Sequence, residues 1–443
     1  MSDEIEIPEE ELEEVSSPKE LDHISLTSGQ LTALMHILNF IPTSTTGCRV
    51  GIVEGYAGTG KTTLIRTLAR EREMFVLTPT GKAAVRVMDV AGCDAMTIHR
   101  WLYKPVIDGT NGEILDWELK SGDDIARPLN NILLVDESSM VTQDIFYDLI
   151  RVCEPMGINI VFIGDGFQLP PVDKTGKNSF SVFNKTTPYA WKVILTEVVR
   201  QALDSPVLAA ATIIRSGGSI YEAFRKLEII PKEKMDDEVR RLYQNGGAAI
   251  CHRNKTRHDM NLRIRKTLGY EGMWAEAGEP VMVIKNNYDM NVFNGEVYKL
   301  VDDSTRYLHE VDIQNYQTKK HRRVSGQKVV FQGIDRQVML CRDQMFGEID
   351  GFTDSNVSYA FTKWLRKQKF LKGDSDEWRG NAPNHVGANF GYVLTAHKAQ
   401  GSEWPEVLVI MENSISPEWG DGRKWLYTAI TRASKNVRIV YND

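Results

Sequence analysis

Short apolar runs separated by helical patterns recur along most of the chain. Val50–Val53, Phe75–Leu77, Ile132–Val135, Ile158–Ile163 and Val193–Leu195 are rich in β-branched residues, and each is followed by a turn or helix signal. Uninterrupted apolar strands of this kind predict a mostly parallel sheet covered on both faces. A second set, Ala248–Cys251, Tyr392–Leu394, Val407–Met411 and Val437–Val440, predicts a second sheet, so the chain reads as two α/β lobes. Ahead of the first strand, Leu26 to Gln30 offers hydroxyl caps for an apolar helical pattern at Leu31, Leu34, Met35 and Leu38.

Two stretches break the alternation. In residues 98–130, the β-prone arms Trp101 to Ile107 and Glu113 to Leu119 flank the turn-forming Asp108-Gly109-Thr110-Asn111-Gly112, which predicts a projecting hairpin. In residues 287–390, Val297–Val301, Tyr307–Val311, Lys328–Phe331 and Gln337–Cys341 predict a small β-barrel insertion. The basic runs Lys319 to Arg323 and Lys363 to Lys369 fall there, and they read equally as a solvated surface or as the lining of a nucleic-acid channel.

Composition adds scale and location. A chain of 443 residues with 42% apolar content is too long for one core and suggests two to four compact units. No run approaches the roughly 18 to 20 apolar residues of a membrane span, and the N-terminus is acidic where a secretory leader would be basic. Five widely spaced cysteines, Cys48, Cys93, Cys153, Cys251 and Cys341, show neither zinc-site nor disulfide-framework spacing, so reduced thiols in a cytosolic compartment are expected. The net charge of −7 is concentrated at one end: residues 1–20 hold nine acids and Lys19, so the remaining body is close to neutral. The segment reads as a disordered, solvating tail, with docking of a partner as the alternative.

The strongest chemical signal is Gly55-Tyr56-Ala57-Gly58-Thr59-Gly60-Lys61-Thr62, set between a strand pattern and a helix pattern. Its glycines let backbone N–H groups close around phosphate oxygens and the helix N-terminus adds a positive dipole end. Lys61 reaches the β- and γ-phosphates, and Thr62 ligands Mg²⁺. Asp136 and Glu137 follow the buried strand Ile132–Val135; Asp136 is placed to organise Mg²⁺ with Thr62, and Glu137 to orient or deprotonate the attacking water. Gln168, in the rigid segment Gly164 to Val172, is placed to contact the γ-phosphate. No nuclease-type carboxylate cluster is apparent.

In order along the chain, Leu26 to Gln30, Gly55 to Thr62, Thr78 to Ala84, Thr97 to His99, Asp136-Glu137, Gly164 to Val172, Leu195 to Gln201, Leu394 to Gly401 and Tyr427 to Ala433 resemble the motif set of superfamily 1 DNA helicases, most closely the RecD and Dda branch, superfamily 1B. The resemblance runs from about residue 26 to the C-terminus. It implies an α/β fold of two RecA-like parallel-sheet lobes, with an inserted β-hairpin as pin and an inserted SH3-like β-barrel. Residues 1–22 would be the acidic tail, 23–97 with 131–195 the ATP-binding lobe, 98–130 the pin, 196–286 with 391–443 the second lobe, and 287–390 the SH3-like insertion.

The same resemblance implies ATP and Mg²⁺ as cofactors and 5′ to 3′ movement on single-stranded DNA, with forked or branched DNA as substrate in replication, recombination or repair. Gln30 matches the glutamine that reads adenine, beside the nucleotide-binding set Gly55, Ala57, Gly58, Thr59, Gly60, Lys61, Thr62 and Thr63. Arg200 and Arg432 match arginines that reach the γ-phosphate. Thr78, Pro79, Thr80, Thr97, His99, Asn254, Thr395, His397 and Lys398 match positions that grip DNA. Trp101, Tyr103, Pro105 and Trp117 are the pin candidates. A monomer working without a membrane, in a bacterial or phage-infected cytoplasm, is implied, with replication or recombination proteins as partners of the acidic tail. A branch-migrating or protein-displacing translocase is the alternative inside the family; a P-loop small-molecule phosphotransferase is the alternative outside it.

Overall fold

The computed structural model describes residues 26–40, 47–107, 114–171, 180–184, 189–199, 205–287, 290, 292–302, 309–314, 318, 320–347, 357, 360–361, 363–364 and 384–442. The acidic tail, the hairpin tip Asp108 to Gly112, Arg200 and the run from Leu365 to Lys369 lie outside them.

The first lobe is a six-stranded sheet in which every pairing is parallel. Its strands are β1 (Val50–Gly55), β2 (Phe75–Thr78), β3 (Ala95–Thr97), β6 (Ile132–Val135), β7 (Asn159–Gly164) and β8 (Trp191–Leu195), in the order β3-β2-β6-β7-β1-β8; β4 (Tyr103–Ile107) and β5 (Ile114–Leu119) form a separate hairpin outside this sheet. Alternate residues feed two cores, one on each face. Ile52, Leu133, Val135, Ile160 and Phe162 enter one; Val53, Ile132, Leu134, Val161 and Ile163 enter the other. That two-sided burial is why the strands read as continuous apolar runs. Because the strands are parallel, the segments that follow β1, β6 and β7 all emerge at one edge, where the candidate chemistry collects.

Helix α1 (Ser28–Leu38) starts with a capping box in which Thr27 accepts from the Gln30 backbone and the Gln30 side chain accepts from Thr27. Helix α2 (Lys61–Glu71) follows β1, and α3 (Gly81–Ala91) follows β2 with Thr80 as its N-cap.

Helix α4 (Ile98–Leu102) corrects one expectation. Trp101 is not on the hairpin but in this short helix, 1% exposed, with its indole N–H donating to the Ala126 carbonyl at 2.8 Å. Thr97 caps the helix, and the spacing of Ile98, Trp101 and Leu102 turns all three into the core. Trp101 therefore cannot meet a DNA base pair in this fold. The hairpin strands are β4 (Tyr103–Ile107) and β5 (Ile114–Leu119). Tyr103 sits at the base, where its hydroxyl donates to Asp148 at 2.6 Å on α5 (Gln143–Met156), which removes it too from a separating edge. Pro105 pairs with Trp117 across the two strands, and Trp117 is about half exposed.

The second parallel sheet holds β9 (Glu228–Ile229), β10 (Ala248–Cys251), β18 (Val393–Thr395), β19 (Trp404–Met411) and β20 (Ala433–Tyr441), in the order β18-β10-β19-β20-β9. Inserted in it is a mostly antiparallel seven-stranded sheet: β11 (Pro280–Val283), β12 (Val297–Asp302), β13 (His309–Gln314), β14 (His321–Phe331), β15 (Gln337–Cys341), β16 (Asn384–His385) and β17 (Ala388–Phe390). This sheet begins at Pro280, ahead of the expected start at 287, because Val281 and Met282 pair with both β12 and β17. One hydrophobic cluster joins Ala249, Cys251, Leu408 and Ile410 of the parallel sheet to Val281, Leu300, Phe331 and Phe390 of the insertion. Among the described residues, no helix is long and apolar enough to cross a membrane.

The insertion carries a buried histidine with a pH signature. His385 stacks on Phe361 at 4.6 Å, and its Nδ1 lies 3.1 Å from the Met339 carbonyl. Burial lowers its pKa from 6.5 to about 4. The folded state thus favours neutral imidazole. Its contribution is complete above pH 6.5 and is lost as pH falls towards 4, by up to about 3 kcal/mol. Denaturant unfolding at pH 7.5 and pH 5 is expected to reveal that loss, and His385→Leu is expected to flatten it.

Candidate nucleotide site and the cleft between the lobes

Strand β1 ends at Gly55, and Gly58 and Gly60 take left-handed backbone angles before α2 begins at Lys61. A Cβ at Gly60 would collide with the Gln30 side-chain amide, so the loop needs glycine there both for conformation and for space. Gln30 is 1% exposed, and its Nε2 donates to the carbonyls of Thr59 and Gly60, both at 3.1 Å. The glutamine expected to read adenine is thus brought to the loop, with its donor engaged by the loop's own backbone. Lys61 Nζ donates to the carbonyls of Gly55 at 2.7 Å and Tyr56 at 3.0 Å. Thr62 and Thr63 lie in the first turn of α2, and Thr59 closes the loop by donating to the Tyr56 carbonyl at 2.8 Å. The loop from Gly55 to Gly60 leads into the N-terminus of α2, where free backbone N–H groups and the helix dipole favour an anion.

Asp136 and Glu137 follow β6 at the same sheet edge. Asp136 is partly accessible, yet desolvation by the surrounding protein and the adjacent Glu137 carboxylate raise its pKa, while Lys61 opposes them. Lys61 is therefore close enough to Asp136 for their charges to interact. Glu137 has φ 51°, a left-handed conformation uncommon for any residue but glycine. A carboxylate, the hydroxyl of Thr62 and phosphate oxygens make the hard oxygen donor set that suits Mg²⁺, and the fold gives both side chains to one edge. After β7, Asp165 accepts from Phe167 N–H at 3.0 Å and fixes the turn that presents Gln168. Gln168 is 5% exposed, and its Oε1 has no hydrogen-bond partner among the described residues.

The second lobe meets this edge through helix Gly420–Ile430. Tyr427 Oη accepts from Ala57 N–H at 2.9 Å and donates to Asp165 Oδ2 at 2.7 Å. Thr428 Oγ1 accepts from Leu169 N–H at 2.9 Å, and Gln400 Nε2 donates to the Leu169 carbonyl at 2.8 Å. The loop bearing Gln168 is thereby tied to the second lobe through both the N–H and the carbonyl of Leu169. Arg215 stacks on the Tyr56 ring at 3.5 Å, Lys82 lies 5.0 Å over the Trp404 ring, and Arg86 pairs with Glu403. Arg432 is 5% exposed and turned onto its own lobe, donating to the carbonyls of Thr428 and Ser402, both at 3.2 Å. Asp165, Leu169, Tyr427 and Thr428 are invisible as individuals in the sequence: their partners lie hundreds of residues away, and only their motif segments carry a signal.

Residues expected to hold DNA lie at the carboxyl ends of both sheets, with an important division among them. Thr78, Thr97 and Thr395 are buried. Thr78 donates to the Thr80 carbonyl at 2.8 Å, Thr97 caps α4, and Thr395 precedes the short helix Ala396–Ala399. Direct contact through these hydroxyls is corrected to a shaping role in this conformation. Pro79 and Thr80 are partly accessible, and His99 and Asn254 are exposed. Lys398 donates to Asn294 at 2.7 Å, while His397 Nε2 is buried without a hydrogen-bond partner among the described residues.

Residues 25–229 match the AAA domain model, and residues 390–440 match the UvrD-like helicase C-terminal domain. The chain is 26% identical to an uncharacterised protein of Methanocaldococcus jannaschii, covering 89% of this chain and 37% of that protein. It is 25% identical to the ATP-dependent RecD2 DNA helicase of Deinococcus radiodurans, covering 87% of this chain and 46% of that protein. The chain therefore spans less than half the length of these two relatives. In fold it is similar to a Bacteroides Pif1 helicase solved with ADP-AlF3 and single-stranded DNA, with TM-score 0.53, 17% identity, and coverage of 95% of this chain and 93% of that one. The two parallel sheets are thus RecA-like lobes of the Pif1 kind. The chain thus carries an AAA domain and a UvrD-like helicase C-terminal domain, and its relatives and its fold are consistent with the RecD/Pif1 type of superfamily 1B helicase.

Proposed function

We propose that the protein is an ATP-driven DNA helicase that moves 5′ to 3′ on single-stranded DNA and separates forked or branched duplex. The observation that carries this reading is the split site: the P-loop, Asp136 and Glu137 stand on one lobe, while Tyr427, Thr428 and Arg432 come from the other. A site divided this way makes nucleotide turnover depend on how the lobes meet. A phosphotransferase with one catalytic lobe has no need of it.

Lys61 exchanges its loop carbonyls for the β- and γ-phosphates when ATP enters. Glu137 holds the water and takes its proton; Gln168 contacts the γ-phosphate; Arg432 leaves the carbonyls of Thr428 and Ser402 to stabilise charge on the transferred group. Thr62 and Asp136 would hold Mg²⁺, which would neutralise charge on the phosphate oxygens. Gln30 fixes the loop beneath the base. Thr80, His99, Asn254 and Lys398 follow the DNA backbone without reading sequence, and the hairpin with Trp117 divides the strands.

The test measures ATP turnover with and without single-stranded DNA, and unwinding of 5′-tailed, 3′-tailed and junction substrates. DNA-stimulated turnover with unwinding of the 5′-tailed fork is the expected result. Turnover indifferent to DNA would remove the helicase reading. Preference for four-way junctions over forks would shift it to a branch-migrating motor.

A further inference from the structure

We propose that the Tyr427 hydroxyl is a positioning group that couples lobe closure to the shape of the P-loop, separately from any arginine contact with phosphate. The inference rests on the ATP-driven reading above and deepens it. Three segments meet at this one oxygen: the P-loop through Ala57 N–H, the loop after β7 through Asp165, and the second lobe through the helix that bears Tyr427. Tyr427 is 1% exposed and Asp165 fully buried, so neither hydrogen bond is open to water in this arrangement of the lobes.

The arrangement has a defined polarity. Ala57 donates to the phenol, and the phenol donates to Asp165, so the proton order is fixed by the two neighbours. Burial and the Asp165 charge push the phenol pKa well up, which keeps it protonated as a donor. Phe167 packs edge-on to the ring at 5.1 Å, holding the phenol in line between the two loops. Ala57 lies between Gly55 and Gly58, in the part of the chain that must close around phosphate. A displacement of the second lobe that withdraws Tyr427 therefore takes the partner from a P-loop N–H and from Asp165 Oδ2 at once, leaving Asp165 only its bond from Phe167 N–H. The cost of that double loss is what ties loop geometry to lobe position.

The experiment compares wild type, Tyr427→Phe, Asp165→Asn and the double variant in ATP turnover with saturating single-stranded DNA, ADP affinity by a fluorescent ADP analogue, and thermal unfolding. Tyr427→Phe retains the ring and its packing. It is expected to lower DNA-stimulated kcat about tenfold, with a modest fall in thermal midpoint from the two lost hydrogen bonds and ADP affinity close to wild type. The double variant is expected to fall no further than the more impaired single variant, because both changes break one unit. Wild-type kcat in Tyr427→Phe, or additive losses in the double variant, would overturn the proposal. So would a fall in kcat matched by equal losses in ADP affinity and thermal midpoint, which marks a purely structural role. An absence of DNA stimulation in the wild type itself would instead remove the underlying functional reading, and this inference with it.

Discussion

Glu137→Gln is expected to lower DNA-stimulated ATP turnover by about 10² to 10⁴-fold, the contribution of a positioned general base. Binding of a labelled single-stranded oligonucleotide, read by fluorescence anisotropy, is expected to stay intact. Glutamine has nearly the same shape and can still hold a water, but it cannot accept the proton. The backbone makes the substitution clean in another way: φ at Glu137 is 51°, and glutamine adopts this conformation at a cost similar to that of glutamate. Phosphate release is the measurement. Turnover at the wild-type rate would take Glu137 out of the reaction.

Arg432→Lys is expected to cost on the order of 10³-fold or more in kcat, with the KM for ATP little changed, if the guanidinium is the charge-stabilising group contributed across the cleft. Lysine keeps the charge but lacks the planar fork that grips phosphate at two points. In the fold described here the guanidinium rests on the carbonyls of Thr428 and Ser402, so the same substitution also removes local hydrogen bonds. A thermal melt separates the two effects. A lowered midpoint with kcat preserved would leave Arg432 as a brace within its lobe.

How far the sequence discloses this molecule depends on the kind of signal each part carries. Ile132–Val135 and Ala248–Cys251 are legible residue for residue because a doubly covered strand must be apolar throughout. The loop from Gly55 to Thr62 is legible because its chemistry demands fixed spacing. Ala95–Thr97 and Glu228–Ile229 are not, since a short edge strand has little periodicity to display. Trp101 misleads for a more specific reason. Trp and Tyr favour strands, but the Thr97 cap and the apolar spacing of Ile98, Trp101 and Leu102 favour a turn of helix, and burial decides between them. Within the site, charge and glycine spacing point to Lys61 and Asp136, whereas Tyr427 gains its meaning only when the second lobe brings it against Ala57 and Asp165. No local pattern encodes an encounter of that kind.

The hydrophobic cluster shared by the second parallel sheet and the antiparallel insertion has a mechanical consequence. Val281, Phe331 and Phe390 pack into the same apolar interior as Cys251 and Leu408, and Asn261 accepts from Val393 N–H at 2.9 Å and donates to its carbonyl at 3.1 Å beside the seam. A hinge at this seam would have to tear open close-packed interior. The insertion is therefore a rigid outrigger of its lobe: any rotation of helix Gly420–Ile430 at the cleft is carried outward with the full angle and a longer arm.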